Sequence, residues 1–153
     1  MRIVDEIDVR ASPERVFSIA AQVERWPEIL PHYRRVRLRE RTPERSVVEM
    51  AAWRPFPGFS WPTWWVSEMW IDAARRQVRY RHLLGVTRGM KVVWRVEPRP
   101  GGAHITLIHD WDGPAWPLIG RPAARWIILP VFVHGIASRT LAGVKRRAES
   151  THA

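Results

Sequence analysis

Apolar and polar positions alternate along the first two thirds of the chain, and a helical period takes over in the last third. Ile3, Ile7 and Val9 share one parity while Glu6, Asp8 and Arg10 share the other, which predicts a strand over 3–10. Ala11-Ser12-Pro13-Glu14 then reads as a helix start, with Ser12 as N-cap and Pro13 at the first helical position. Val16, Phe17, Ile19 and Ala20 give that helix an apolar side, and a second short helix is predicted over 23–29, closed by Pro31.

Six more strands follow, over 35–41, 46–53, 63–72, 77–83, 89–97 and 103–111. Charged residues mark the wet face of each. By parity Val48, Met50 and Ala52 point inward on one strand, and Trp65, Ser67, Met69 and Ile71 on the next. Val78, Tyr80 and His82 follow on the third, then Met90, Val92, Trp94 and Val96, and finally Ile105, Leu107, His109 and Trp111. Trp64 and Trp70 have the parity of Glu68, so they are expected to be exposed beside arginines and stacked on guanidinium groups.

The period changes after Asp112-Gly113-Pro114. A long helix is predicted from Pro122 to about Glu149, with Trp126, Leu129, Val133, Ile136, Ala137, Leu141 and Val144 as one buried stripe. Pro130 is expected to kink it. The fold class is therefore α+β. A seven-stranded, curved antiparallel sheet wraps the long C-terminal helix, and two short helices follow the first strand. The space left between sheet and helix is the natural place for a ligand.

Composition sharpens this picture. The chain has 153 residues, no cysteine and ten tryptophans. The missing cysteines exclude disulfides, thiolate metal sites and a cysteine nucleophile, and they fit a reducing compartment. The apolar window 126–137 is shorter than the roughly 20 residues of a membrane span, so a cytoplasmic protein of one domain, 1–153, is expected. Ten indoles suggest flat surfaces that stack on something, or a bulky internal wall. Net charge is +10, with the basic residues spread along the chain rather than gathered in one block. That distribution favours arginines that simply solvate the strands over a nucleic-acid or anionic-membrane partner, and of those two partners only an anionic membrane surface is kept open.

Ser12-Pro13-Glu14-Arg15-Val16-Phe17 at the first helix, together with the order of elements, resembles the START-like helix-grip superfamily. Arg25-Trp26-Pro27-Glu28-Ile29-Leu30-Pro31 is similar to the following segment in its polyketide cyclase/dehydrase and coenzyme-Q-binding branches. The resemblance spans the chain. It implies a hydrophobic cavity under the last helix, holding a lipid, a quinone or a polyketide-like molecule. In the aromatase/cyclase branch, aromatics and a few polar groups fold a poly-keto chain for aldol condensation. Trp26, Tyr33, Trp65, Ser67 and Trp94 match such positions. Met69 departs from the pattern, because that branch carries an inward arginine there.

The residues themselves offer little catalytic machinery. No Ser-His-Asp set, metal-spaced His/Glu cluster or Gly-rich phosphate loop is visible, so neither metal nor cofactor is expected. Asp110 and Asp112 read as a solvated strand end. His82 and His109 are turned inward by parity, and with Tyr33 and Ser67 they are the catalytic candidates; a histidine would serve as general base. The expected ligand-binding residues are Trp26, Tyr33, Met50, Trp65, Ser67, Met69, Tyr80, His82, Trp94, His109, Trp111 and Phe132. Ile127, Ile128, Val131 and Phe132 extend the apolar surface of the last helix beyond its stripe. The segment 54–62 reads as a loop forming a lid or a membrane-touching tip at the cavity mouth. The leading expectation is a carrier of a hydrophobic small molecule. A polyketide cyclase or dehydratase and a basic surface-binding module are the alternatives.

Overall fold

The first and second strands of the chain end up at opposite edges of one sheet. In the computed structural model, which describes residues 1–150, β1 (Arg2–Val9) pairs with β7 (Gly102–Asp110). β2 (Tyr33–Arg41) lies at the far side. Between them run β3 (Ser46–Phe56), β4 (Phe59–Asp72), β5 (Gln77–Leu84) and β6 (Lys91–Arg99). The order is β1-β7-β6-β5-β4-β3-β2, with every neighbouring pair antiparallel. Register shifts at Tyr33/Arg35, Leu38/Glu40 and Val66/Ser67 sharpen the curvature, as bulges do.

The two edges are bridged by α1 (Pro13–Ala21) and α2 (Trp26–Ile29), the latter preceded by a 3-10 turn at Val23–Arg25. Ser12 caps α1 by accepting from the Arg15 N–H at 3.2 Å, as the sequence suggested. Arg15 reaches across to the end of the last helix, where its guanidinium donates to the carbonyls of Ala148 (2.8 Å) and Arg147 (3.1 Å). Those are carbonyls a helix leaves unsatisfied, at its negative end.

That last helix, α3 (Gly120–Glu149), is long and apolar enough to cross a membrane, a longer run than the sequence window implied. Here it is the core helix laid over the sheet. Its middle, Ala124–Val133, is π-helical and contains Pro130. The wider turn changes the angular spacing of side chains. A stripe drawn at one helical period therefore fails at its start: Trp126 is 61 % exposed, whereas Leu129, Ile136, Ala137, Leu141 and Val144 are buried.

Three further expectations are corrected. The segment 54–62 is not a loop, because β3 and β4 continue through it to a tight turn at Pro57-Gly58, with Phe56 stacked on Phe59 at 5.0 Å. Gly58 takes φ +82°, which the turn requires and which a side chain would oppose. Ile71 has inward parity but is 49 % exposed, since it lies one residue before the end of β4. Trp64 is outward but not stacked on an arginine. Its indole N–H donates to Glu49 at 2.9 Å, beside Arg35 and Arg39. The guanidiniums that do lie over rings are those of Arg34 on Trp53, Arg54 on Phe56 and Arg125 on Trp126.

Candidate functional site

Inward parity on β3 to β7 brings large side chains to the concave face of the sheet. The helices keep them from closing on one another. The result is a cavity of about 620 Å³ between the sheet and α3, within the range that holds small organic ligands.

An aromatic chain forms much of its wall. Trp94 faces Trp26 with centroids 5.7 Å apart, Trp26 meets Tyr33 edge-on at 5.1 Å, and Tyr33 meets Trp65 at 6.2 Å. Trp65 then stacks on His82 at 5.8 Å. Trp26 is anchored by its indole N–H, which donates to the Ile19 carbonyl at 3.1 Å. Met50, Tyr80, His109 and Phe132 complete the expected residues that line the space.

Ser67, Met69 and Trp111 do not line it, although parity turned them inward. Parity gives the face but not the depth. Ser67 is fully buried between Val48 and His82, flanked along its strand by Trp65 and Met69, and these larger groups leave its short side chain behind the wall. Met69 is core packing, so the departure at that position lies outside the cavity. Trp111 follows the end of β7, and its indole N–H donates to the Arg88 carbonyl at 3.0 Å, toward the β5–β6 turn.

Polar atoms are few and unusually placed. The Tyr80 hydroxyl and His109 Nδ1 are buried without a hydrogen-bond partner among the described residues, as is Ser67 Oγ. Tyr80 and His109 both pair with Val92, one from each side, so their backbones stand about 10 Å apart across two strand spacings. His82 Nδ1 is engaged by the Thr87 hydroxyl at 2.7 Å. Burial holds His82 down to about 3 and His109 to about 4, with His109 adding to the depression at His82. Both imidazoles are therefore neutral at pH 7. Burial pushes the Tyr80 and Tyr33 hydroxyls well above their ordinary range, so they remain donors.

Several lining residues escaped the sequence reading. Trp61 enters because the 54–62 segment is strand, Thr63 because it shares the inward parity of Trp65 at the start of the expected strand, and Trp116 and Val86 because turns fold over the mouth. Thr140 lines the helix side, where its hydroxyl lies 2.9 Å from His32 Nε2. Asp5 was missed despite a legible signal, its parity with Ile3, Ile7 and Val9. It is buried on the inner face and bonded to His134 of α3, tying sheet to helix. Burial raises its carboxyl above the usual range, and His134 opposes that.

A sheet gripping one long helix over an internal apolar cavity defines the START-like class. Within it, the chain belongs to the polyketide cyclase/dehydrase and lipid transport family, whose sequence model matches residues 1–149. A Streptomyces cyaneus protein named "Putative polyketide cyclase" is 27% identical over 108 residues, 70% of each chain. Among solved structures, the ZhuI aromatase/cyclase of Streptomyces sp. R1128 superposes with a TM-score of 0.79 at 24% identity, covering 97% of this chain and 93% of that one. A protein of Thermus thermophilus superposes with a TM-score of 0.81 at 18% identity over the full length of both. A START superfamily protein of Mycobacterium smegmatis gives 0.70 at 17% identity, covering 97% of each. At these identities the structures speak to fold.

Proposed function

We propose that this protein binds a flat, oxygen-bearing hydrophobic molecule, of the polyketide or quinone kind, in the cavity under α3. One observation carries the reading. The Tyr80 hydroxyl and His109 Nδ1 are buried, with no partner among the described residues, on two side chains that line a mostly apolar, aromatic space. A buried polar group left without a partner costs about 1–3 kcal/mol. A ligand carbonyl accepting from Tyr80, and a second polar group meeting His109 Nδ1, would remove that cost. A purely hydrocarbon ligand would not.

Cyclisation of a poly-keto chain is the second reading, favoured by the match to the Streptomyces cyaneus relative. His109 would take a proton from a methylene between two carbonyls, while Tyr80, on the next strand but one, holds a carbonyl farther along the chain. The carbanion would then attack a further carbonyl, which takes up a proton. Burial makes His109 a weak base at about 4, and its Nδ1 has no partner that would strengthen it. Both facts favour holding a molecule over turning it over.

Native mass spectrometry of freshly purified protein, followed by extraction and identification of what is released, tests the reading. One oxygenated hydrophobe per chain is expected, with Tyr80→Phe and His109→Gln each reducing its occupancy. If His109→Gln abolishes turnover of a poly-keto mimic while binding persists, the cyclase reading replaces the carrier one. A protein that is empty and takes up no lipid, quinone or polyketide mimic sinks both.

A further inference from the structure

We propose that the rim of the cavity docks onto an anionic lipid bilayer. Three segments form that rim. Trp61 comes from the β3–β4 hairpin, Val86 from the β5–β6 turn, and Trp116 and Ile127 from the chain that enters and begins α3. All four line the cavity and are exposed on their outer side. The tight turn from Trp116 to Gly120, closed by a 3.0 Å backbone bond, adds Leu118 and Ile119, both exposed. Exposed apolar groups gathered around one opening mark an interaction surface.

Leu118 makes the point most sharply. It is 97 % exposed and sits at φ +66°, a left-handed conformation that costs energy for a bulky residue. The fold holds a strained backbone in order to present an isobutyl group to the outside. Trp61, Trp116 and Trp126 supply indoles, the side chains that favour the level of lipid headgroups.

Charge selects the occupant. No acidic residue occurs in 83–96 or 113–148, the stretches that supply most of the rim and all but the end of α3. Arg88 shares the turn with Val86, and Arg125 lies over Trp126; neither has an acidic partner among the described residues. Arg121 comes only within 4.0 Å of Asp112. A basic fringe around an apolar centre complements anionic headgroups over acyl chains. A second copy would bring the same arginines and a charge of +10 against these. Single-stranded nucleic acid would use the aromatics but leave Leu118, Ile119 and Ile127 unsatisfied. Because the cavity opens inside the rim, docking would also let a hydrophobic cargo pass to the acyl layer without crossing water.

The test is flotation with vesicles of phosphatidylcholine alone and of phosphatidylcholine with roughly 30 mole-percent phosphatidylglycerol, enough to give the surface the charge of an anionic leaflet. It needs no ligand, so it stands or falls apart from the identity of the cargo. The wild-type protein should float with the anionic vesicles and release as salt rises. Leu118→Asp with Ile119→Asp should weaken binding more than about tenfold with the melting temperature unchanged. Arg88→Gln with Arg125→Gln should weaken it roughly tenfold or more and flatten the salt dependence. No flotation with anionic vesicles, or flotation that both double variants leave intact, overturns the proposal. So does a wild-type dimer in light scattering that the Leu118/Ile119 variant converts to monomer, which would make a second copy the occupant.

Discussion

The imidazole of His82 lies flat against the indole of Trp65, with ring centroids 5.8 Å apart and planes 6° from parallel. Thr87 holds the other side of the arrangement through its hydroxyl, 2.7 Å from His82 Nδ1. The two rings form one parallel stack in the cavity wall, and it is neutral because His82 is held to about 3. A flat ligand would stack on Trp65, an interaction worth about 0.5–1.5 kcal/mol beyond buried area. Trp65→Leu should therefore weaken binding of a neutral aromatic probe such as N-phenyl-1-naphthylamine by about tenfold. Fluorescence titration measures it; an unchanged affinity would place the probe elsewhere.

Acid should unfold this protein earlier than its ion pairs alone would suggest. His32 and His109 are depressed to about 4 and His82 to about 3, in each case chiefly by burial. The unfolded chain binds protons at these sites near pH 6.5, the folded chain only below about 4. Stability is thus fully present above about pH 6.5 and falls as pH drops toward the folded values, by up to about 1.4 kcal/mol per pH unit for each histidine. Urea titrations at about pH 7.5 and about pH 5 should show the loss, and His109→Gln should reduce it. A flat profile over that interval contradicts the assignment.

Gly143 lets α3 seat against Leu30, at the end of α2. A Cβ added there would meet Leu30 Cδ2 at 2.2 Å, and Leu30 is fully buried. Glycine to alanine inside a helix ordinarily stabilises by about 1 kcal/mol. Here the clash should win, so that Gly143→Ala costs roughly 1–3 kcal/mol. Chemical denaturation decides the sign. Leu30→Ala in the same chain should relieve part of the clash.

Arg54 joins the β3–β4 hairpin to the π-helical segment. Its Nε donates to the Val131 carbonyl at 2.6 Å, while Phe56 and Trp61 of the hairpin pack edge-on against Phe132. Removing the guanidinium should loosen the mouth more than the core. Arg54→Met is expected to raise the dissociation rate of the bound probe severalfold, with little change in association. Stopped-flow displacement separates the two rates. Equal rates in wild type and variant would show that the probe leaves by another route.

Much of the architecture was legible because each element carries its own periodicity. The alternation at Val78, Tyr80 and His82, and at Ile105, Leu107 and His109, requires only that one face of a strand be dry, and all six side chains are buried. Ser12-Pro13 announced α1 through local hydrogen bonding and a preset φ. The hairpin at 54–62 was hidden for the same reason: three prolines and a glycine argue locally for a loop, and only pairing between Pro55 and Ser60 or Phe56 and Phe59 makes it strand. Trp126 was misplaced because its exposure depends on a π-helical turn around Pro130 that no fixed period anticipates.

The sequence by itself determined the order of elements and the face most inward side chains take, through spacing, and its short motifs carried the resemblance to the superfamily. Depth was decided only by the tertiary structure. Whether Ser67 and Met69 reach the cavity or lie behind Trp65, whether Tyr80 and His109 find partners, and which apolar groups ring the opening all depend on how far α3 stands from a curved sheet. That distance is set by bulky side chains from distant elements pressing on one another, Leu30 on Gly143 and Phe132 on Trp61 among them. Contacts of this kind join residues far apart in the chain, and a local pattern does not record them.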